Sequence, residues 1–330
     1  MSARDTILVT GGAGFIGSHF ARAAAEAGSR VVVLDDLSGA PNWPELPAGI
    51  ERVPGNIADR SIVRSLIVNC RVTAIVHFAG KICVGESITN PALYFDYNVA
   101  RSLALLDLVR EIGPRAFVFS STAAVYGEPT VTPILESARY APVNPYGATK
   151  LALEHALASY GAAYGIAWAA LRYFNAAGAH PDGTLREAHD PETHLIPLAI
   201  DAALGRRAPI TVFGDDYPTK DGTCVRDYVH VCDLARAHLD ALDALDRVGT
   251  IGAVNLGSGL GYTVREVLTA TARVLGKDVP HEIGPRRDGD PAVLVASHTL
   301  AQQMLGWRPE RDLGTIIDDA ARSRQYLVPC

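Results

Sequence analysis

The first 36 residues combine a strand, a glycine-rich turn, a helix and a second strand. Thr6–Thr10 is short, apolar and rich in β-branched residues, which predicts a buried strand. The run Gly11-Gly12-Ala13-Gly14-Phe15-Ile16-Gly17 follows at once and opens an alanine-rich helix predicted to end near Ala27. Arg30–Leu34 predicts a second strand, which leads into the acidic pair Asp35-Asp36. A G-x-x-G-x-x-G turn between strand and helix, with an acid after the next strand, is typical of a dinucleotide-binding unit.

The glycines and the acid each have a physical reason to bind such a cofactor. Glycines at 11, 14 and 17 allow a tight turn and a close approach to a pyrophosphate, whose charge then lies at a helix N-terminus. Asp35 can accept hydrogen bonds from the adenosine ribose hydroxyls and would repel a 2′-phosphate. The pattern therefore predicts NAD rather than NADP, and it disfavours a glycine-rich turn without a ligand.

Composition narrows the class of protein. Of 330 residues, 48% are hydrophobic and 20% are charged, which predicts a large core and little disorder. The net charge of −6 argues against a nucleic-acid surface, and the sequence has no apolar run long enough for a membrane span. The five cysteines are odd in number and lack metal-like spacing. We therefore expect reduced thiols in a cytoplasmic protein, with no signal peptide, no resident metal, no nucleic-acid partner and no membrane partner.

Strands and helices alternate through the first half of the chain. This order predicts an α/β fold with a doubly wound parallel Rossmann sheet. Further strands are predicted at 51–53, 74–78, 115–120 and 167–173, and further helices at 60–68, 91–112 and 146–164. Shorter elements follow, at 195–204, 210–213, 232–245 and 264–275. We expect a cofactor domain over 1–175, to which 227–250 returns, and a smaller substrate lobe over 176–330, with ligands bound at the carboxyl ends of the strands.

A candidate catalytic set lies at the end of the fifth strand and in the helix after it. Tyr146 and Lys150 are four residues apart, which places both on one face of a helix. The run Ser120-Ser121-Thr122 ends the preceding strand. An ammonium group and a nicotinamide cation nearby favour the phenolate, so Tyr146 can act as a base near neutral pH. Thr122 can share a hydrogen bond with the substrate oxygen that loses or regains its proton.

These features, together with longer runs along the chain, resemble a known family. The sequence resembles the UDP-glucose 4-epimerases, which are extended short-chain dehydrogenases/reductases. The runs that carry the resemblance include His77–Gly80, Val84–Ser87, Val125–Gly127, Arg172–Asn175, Phe213-Gly214, Asp216–Thr219, Val225–Val231, Asn255–Gly257 and Arg286–Asp290. They extend from residue 6 to about residue 308, so the resemblance covers nearly the whole chain.

The resemblance implies a set of NAD-binding residues. The glycine turn would face the pyrophosphate, Asp35 the ribose and Asn56-Ile57 the adenine, while Asn98 and Tyr173 would contact the nicotinamide half. The implied cofactor residues are Gly11, Gly14, Phe15, Ile16, Gly17, Asp35, Asp36, Asn56, Ile57, Phe78, Ala79, Gly80, Asn98, Ser120, Tyr146, Lys150 and Tyr173.

It also implies a UDP-sugar substrate, epimerised by transient oxidation at C4. Thr122, Tyr146 and Lys150 would be catalytic. The arginines would bind the diphosphate, because guanidinium forks suit phosphate oxygens, and Asp290 would bind the uridine ribose. The implied substrate residues are Thr122, Tyr146, Asn175, His194, Leu195, Phe213, Arg226, Tyr228, Arg287 and Asp290. Relatives form homodimers through the helices equivalent to 91–112 and 146–164, which predicts a homodimer here.

Four positions depart from the family pattern or leave it open. Asn56 stands where relatives often have aspartate, and Ile82 where many have a ribose-binding lysine, with Lys81 one place earlier. His194 replaces an asparagine and can contact the diphosphate or be structural. Leu294 is neither the large nor the small residue that would decide whether N-acetylated sugars enter.

Specific residues bear on the other functions found on this fold. Dehydrating relatives carry an acid beside the strand-five hydroxyl, whereas Ala123-Ala124 offers no proton donor here. Two alternatives remain open: a 4-epimerase of UDP-N-acetylhexosamines or UDP-uronic acids, and a non-catalytic NAD-sensing protein of the same fold. The second is disfavoured because such proteins usually lack the tyrosine or the lysine, and both are present.

Overall fold

A seven-stranded parallel sheet forms the centre of the computed structural model, which describes residues 6–40, 42–114, 116–189, 191–287 and 289–325. The strands in chain order are β1 (Thr6–Thr10), β2 (Arg30–Asp35), β3 (Glu51–Pro54), β4 (Val72–His77), β5 (Ala116–Thr122), β6 (Ala167–Tyr173), β7 (Asn175–Ala177), β8 (Ile210–Phe213), β9 (Val225–His230), β10 (Gly252–Leu256), β11 (Gly261–Thr263), β12 (His281–Gly284) and β13 (Val293–Leu294). The large sheet has the order β10-β6-β5-β4-β1-β2-β3. The strand order reverses between β1 and β4, and such switch points create the ligand crevice of doubly wound folds.

Helices cover both faces of this sheet. They are α1 (Phe15–Glu26), α2 (Arg60–Asn69), α3 (Val84–Thr89), α4 (Pro91–Phe95), α5 (Arg101–Ile112), α6 (Pro145–Tyr164), α7 (Leu195–Ala203), α8 (Val231–Val248), α9 (Val264–Leu275), α10 (Thr299–Leu305) and α11 (Leu313–Gln325). A π-helical segment, Asp96–Ala100, joins α4 to α5, and a 3-10 turn, Ala123–Tyr126, follows β5. Within the described ranges, no helix combines the length and the apolar character that a bilayer span requires.

The alternation of side chains along the strands builds two cores. Val9 and Val33 belong to the core beneath α1 and α8, whereas Leu8 and Val32 belong to the core beneath α2, α5 and α6. All four are fully buried, because a parallel sheet covered by helices excludes water from both faces. The predicted α/β class and the parallel Rossmann sheet are confirmed.

The predicted elements of the first half differ from the structure mainly at their ends. The helix predicted over 91–112 contains the π-helical segment instead of running uninterrupted. The fifth strand extends two residues further than predicted, to Thr122. Arg115, at its predicted start, lies outside the described residues, as do Asp288 and Cys330.

A smaller lobe is built from two further sheets. The strand β9 pairs with β7, β11 and β13, and β12 pairs with β8. The helices α7, α9 and α11 cover them and share an apolar core with Ile196, Tyr228 and Ile316. Within the segment 227–250, the end of β9 pairs with β7 and β11, whereas α8 packs on α1. The strand β10 then pairs with β6 and completes the large sheet.

Candidate active site

The glycine turn lies directly against the end of β4. Gly11 has φ of +74°, and its amide donates to the carbonyl of Leu34 at 2.9 Å. A Cβ atom at Gly11 would lie 2.4 Å from the amide nitrogen of Ala79, and one at Gly17 would lie 2.3 Å from the carbonyl oxygen of Gly11. Only glycine fits at both positions. Since α1 begins at Phe15, the amides of its first turn, including Ile16, lack helical acceptors and suit an anion.

Two adjacent carboxylates stand beside this turn. Asp35 accepts hydrogen bonds from the amides of Ala13 and Leu37 at 2.9 and 2.8 Å, and burial raises its pKa. Asp36 accepts from the side-chain amide of Asn56 at 2.8 Å. Burial opposes the charge of Asp36, but hydrogen bonds from Ser38 and Asn56 lower its pKa. An aspartate at position 56 would place a like charge on Asp36, which gives a local reason for asparagine there.

The loop after β4 is held in place by the buried side-chain amide of Asn98. Asn98, in the π-helical segment, donates to the carbonyl of Lys81 at 3.0 Å and to the hydroxyl of Thr149 at 3.1 Å, and it accepts from the amide of Lys81 at 2.7 Å. Gly80 has φ of +156°, and a Cβ there would lie 2.9 Å from the Oδ1 of Asn98. Asn98 therefore fixes the loop after Phe78 and Ala79, where sequence analysis expected the nicotinamide half.

The two side chains that follow Gly80 lie in different surroundings. Ile82, at the family's lysine position, is 45% exposed. The ammonium of Lys81 lies 5.0 Å from the ring centroid of Tyr97, and the guanidinium of Arg101 lies 3.5 Å from the same centroid. The cation at position 81 is thus drawn toward the face of an aromatic ring.

Thr122, Tyr146 and Lys150 meet where β5 ends and α6 begins. Asn144 caps α6 by accepting from the amide of Gly147 at 2.8 Å, which places Tyr146 in the first turn. The hydroxyls of Thr122 and Tyr146 are hydrogen-bonded; burial raises the pKa of Tyr146, and this bond opposes the rise. The ammonium of Lys150 lies 5.9 Å from the ring centroid of Tyr146.

Lys150 is almost completely buried. Its ammonium donates to the carbonyl of Ser120 at 2.9 Å. Burial lowers the pKa of Lys150 to about 8, against an opposing effect of Glu154. The group is therefore a cation at neutral pH that is poorly solvated, and it will favour a negative charge placed near it.

A buried ion pair, which sequence analysis did not predict, anchors α6 behind these residues. Arg172 on β6 donates to both carboxylate oxygens of Glu154, at 3.0 and 2.5 Å. Ser121 donates to the same carboxylate at 2.5 Å, and Arg172 also donates to the hydroxyl of Tyr126 at 2.7 Å. Arg172 and Tyr126 lie in runs that carried the family resemblance, but their partner Glu154 had no local signal.

Tyr173 is positioned by a second unpredicted residue, His238 of α8. The Nδ1 of His238 donates to the carbonyl of Leu234 at 2.7 Å, so its Nε2 accepts from the hydroxyl of Tyr173. Burial lowers the pKa of His238 to about 4, which keeps the ring neutral. The ring of Phe78 packs against it, with 4.7 Å between centroids.

Six of the candidate substrate residues lie on β7, β8, β9 and in the loop before β13. Arg226 donates to the carbonyl of Pro291 at 2.8 Å and pairs with Asp290 at 3.2 Å. The guanidinium of Arg287 lies 3.9 Å from the ring centroid of Phe213. The structure thus brings together four of the predicted substrate residues in two pairs, Arg226 with Asp290 and Arg287 with Phe213.

Asn175 and Tyr228 occupy paired positions of β7 and β9. The side chain of Asn175 donates to the carbonyl of Asp227 at 2.8 Å, and Tyr228 is buried, which raises its pKa. Asp227 was not predicted. Its carboxylate accepts from the amides of Ser258 at 2.7 Å and Ala296 at 3.1 Å, and so joins β9 to two distant loops.

His194 and Leu195 stand at the start of α7. The Nδ1 of His194 lies 2.8 Å from the carboxylate of Glu187 and 2.9 Å from that of Glu192. Burial opposes the charged form, but hydrogen bonds to both carboxylates raise the pKa of His194 to about 10. Leu195 packs against the core of the smaller lobe. Leu294, on β13, packs beside the apolar cluster that follows Thr122.

Known proteins resemble this chain in both sequence and structure. The model of the NAD dependent epimerase/dehydratase family matches residues 7–257. The UDP-glucose 4-epimerase of Rhizobium meliloti is 49% identical over 318 residues, which cover 96% of this chain and 96% of that protein. The crystal structure of UDP-glucose 4-epimerase from Brucella ovis in complex with NAD is 46% identical, with a TM-score of 0.91 and coverage of 96% of this chain and 98% of that chain. The structure of the Bifidobacterium longum enzyme in complex with NAD+ and UDP is 35% identical, with a TM-score of 0.92 and coverage of 98% of both chains.

The family match covers more than half of the chain, and both the sequence relatives and the solved structures agree with it over nearly the full length. The similarity to UDP-glucose 4-epimerases that the motifs indicated is confirmed. The chain belongs to the NAD dependent epimerase/dehydratase family.

Proposed function

We propose that this protein is an NAD-dependent UDP-glucose 4-epimerase that interconverts UDP-galactose and UDP-glucose. The observation that carries the proposal is the arrangement of Thr122, Tyr146 and Lys150 beside a turn that accepts only glycine at positions 11 and 17. The similarity to UDP-glucose 4-epimerases over 95% or more of the chain supports this activity over the other sugar-nucleotide activities considered.

The residues present fit NAD. The turn at Gly11–Gly17 packs so closely on main-chain atoms that positions 11 and 17 exclude a Cβ atom, as a dinucleotide-binding turn requires. The first-turn amides of α1 suit the pyrophosphate, and Asp35 suits ribose hydroxyls. The chemistry supplied by bound NAD is the acceptance and return of one hydride at C4 of the sugar.

The side chains at the end of β5 move the proton. Tyr146 takes the proton of the C4 hydroxyl and later returns it. Thr122 shares a hydrogen bond with the phenol, and the poorly solvated ammonium of Lys150 stabilises the phenolate. The absence of an acid at Ala123-Ala124 leaves no second proton donor there for the elimination of water.

The smaller lobe holds the nucleotide while the sugar turns. Arg226 and Arg287 bind the diphosphate and Asp290 the uridine ribose, with Asn175, Phe213, Tyr228, His194 and Leu195 around them. Hydride must return to the opposite face of C4, so the sugar rotates about its bond to the anchored diphosphate. The site therefore needs firm contacts to UDP and few to the sugar.

We also propose a cytoplasmic homodimer. The helix α6 buries Leu153 and Leu157 against the sheet, yet Leu151 and Ala156 on its other sides are apolar and only partly covered. A second copy packed on α5 and α6 would cover them. The four cysteines of the described ranges are free thiols, as a reducing compartment predicts. Light scattering at micromolar concentration tests the assembly, and a monomer mass would contradict it.

The activity is tested by a product assay. Purified protein is given UDP-galactose without added NAD, and UDP-glucose is followed by chromatography. We expect conversion to an equilibrium mixture by retained cofactor. No conversion by protein that demonstrably contains NAD would contradict the proposed substrate.

A further inference from the structure

The loop before α7 brings together four side chains of the kinds that bind metal ions. Glu187, His189, Glu192 and His194 each offer one ligand atom, and these atoms all lie within 4.8 Å of one another. Of these four residues, only His194 was predicted to bind a ligand, and the sequence predicted no metal. The spacing E-x-H-x-x-E-x-H was visible in the chain, but it matches none of the common zinc motifs.

The distances in this cluster suit one small cation. The Oε1 of Glu187 lies 3.1 Å from the Nδ1 of His189 and 2.8 Å from that of His194, and the Oε1 of Glu192 lies 2.9 Å from the latter. Tetrahedral zinc with bonds of about 2.0–2.2 Å separates its ligand atoms by roughly 3.3–3.6 Å. His189 and His194 both direct their Nδ1 atoms to the Oε1 of Glu187. Small movements of these side chains would therefore complete the coordination of a metal ion.

The surroundings of the cluster call for a positive charge. The side chain of Glu187 is only 5% exposed, and a buried carboxylate must be compensated by a cation. Without a metal, the protonated His194 supplies that charge, and a bound metal ion would displace its proton. The other oxygen of Glu192 lies 3.3 Å from the guanidinium of Arg324, which pairs with Asp201 at 2.6 Å. Carboxylates held by outer partners in this way are typical of metal ligands.

The donor set selects the type of metal. Two imidazoles with two carboxylates suit first-row divalent ions, zinc among them, whereas Mg²⁺ and Ca²⁺ prefer oxygen ligands alone. We propose that Glu187, His189, Glu192 and His194 bind one divalent transition-metal ion, with Zn²⁺ preferred, which ties the loop over 187–194 to the start of α7. The metal site shares His194 with the nucleotide contacts of the proposed function, but metal binding itself does not require that the protein be active.

Calorimetric titration with zinc chloride tests the site. Full-length protein, freed of metal with a chelator and dialysed, is compared with His189→Gln and with His281→Gln. His189 is partly exposed, so its replacement spares the core, and His281 is an exposed histidine of the same lobe, away from the cluster. We expect one zinc ion per chain in the wild type and in His281→Gln, and at least tenfold weaker binding in His189→Gln. The absence of saturable binding in the wild type, or equal affinity in the two variants, would overturn the proposal.

Cobalt provides a second readout that reports on geometry. Four-coordinate Co²⁺ absorbs visible light much more strongly than six-coordinate Co²⁺. We expect an intense band in the wild type that zinc abolishes and that His189→Gln lacks. A weak band of the six-coordinate type in the wild type, or an unchanged intense band in His189→Gln, would contradict the assignment.

Discussion

The cofactor half and the substrate lobe position their candidate residues by different means. Around the glycine turn, close packing of the main chain fixes the geometry, because a Cβ at Gly11 or Gly17 would lie within 2.4 Å of main-chain atoms. In the lobe, contacts between side chains fix the geometry: Asp290 aligns Arg226, and the ring of Phe213 aligns Arg287. The first arrangement is rigid, whereas the second can adjust to its ligand.

This difference agrees with what the proposed reaction requires. The hydride must be exchanged at a fixed distance, so cofactor, Tyr146 and Lys150 need a rigid frame. The sugar must turn over while its nucleotide stays bound, so the lobe needs contacts that grip UDP and leave the sugar free. The two regions should therefore respond differently to substitution, as the predictions below specify.

The largest effect is expected from Tyr146→Phe. Removing the phenol removes the proposed base, so kcat should fall by about 10²–10⁴-fold. Retained NAD should be unchanged, because the ring remains in place. Tyr164→Phe, an exposed position of the same helix, is the control. Turnover close to that of the wild type would refute the assignment of the base.

Glu154→Gln should destabilise the fold of the cofactor half. Arg172 would remain buried without its counter-charge, and breaking such a pair costs about 3–5 kcal/mol of unfolding free energy. Glu266→Gln breaks the exposed pair with Lys220 and should cost less than about 1 kcal/mol. Denaturant unfolding measures the unfolding free energy of both variants. Equal losses would show that burial does not determine how much an ion pair stabilises the fold.

Gly17→Ala should weaken cofactor retention. The added methyl would meet the carbonyl oxygen of Gly11, and relieving such overpacking costs about 1–3 kcal/mol, or roughly a tenfold to hundredfold loss in NAD affinity. Gly85→Ala, where a Cβ meets no atom within 4 Å, is the matched control. NAD content after purification measures the effect. Wild-type content in Gly17→Ala would mean that the turn is not rigid.

The buried histidine of α1 should make the cofactor half sensitive to acid. Burial lowers the pKa of His19 to about 4, from an ordinary value of 6.5. The unfolded chain therefore takes up a proton first as the pH falls below 6.5, and stability that is present at neutral pH is lost toward pH 4. Between pH 7 and pH 5 this histidine should account for about 2 kcal/mol of lost unfolding free energy.

Denaturant unfolding of His19→Asn at the two pH values tests this prediction. The wild type should lose more stability than the variant over the interval, while His281→Gln should behave as the wild type, because His281 is exposed. An identical loss in wild type and His19→Asn would contradict it.

The smallest effect is expected in the lobe. Arg287→Ala removes one proposed diphosphate contact, made by an arginine that is exposed to solvent, so KM should rise about tenfold, or about 1.4 kcal/mol, with little change in kcat. Retained NAD should not change. Arg207→Ala, an exposed arginine of the same lobe, is the control. A fall in kcat without a change in KM would place Arg287 in the chemical step instead.

Sequence alone determined the features that depend on short-range pattern. The strand at Thr6–Thr10, the glycine turn and the pair of Tyr146 and Lys150 follow from periodicity and spacing within a few residues. These local preferences are sufficient because a buried parallel strand and an amphipathic helix each leave their own pattern in the chain.

Tertiary structure alone decided which distant residues meet. The strand β10 completes the large sheet from far along the chain, Glu154 finds Arg172 on another element, and Asp227 joins loops that no local pattern connects. The side chains of Glu187, His189, Glu192 and His194 converge to within 4.8 Å, which no local pattern predicted. Such contacts depend on the packing of whole elements, and packing reflects the complete chain rather than any window of it.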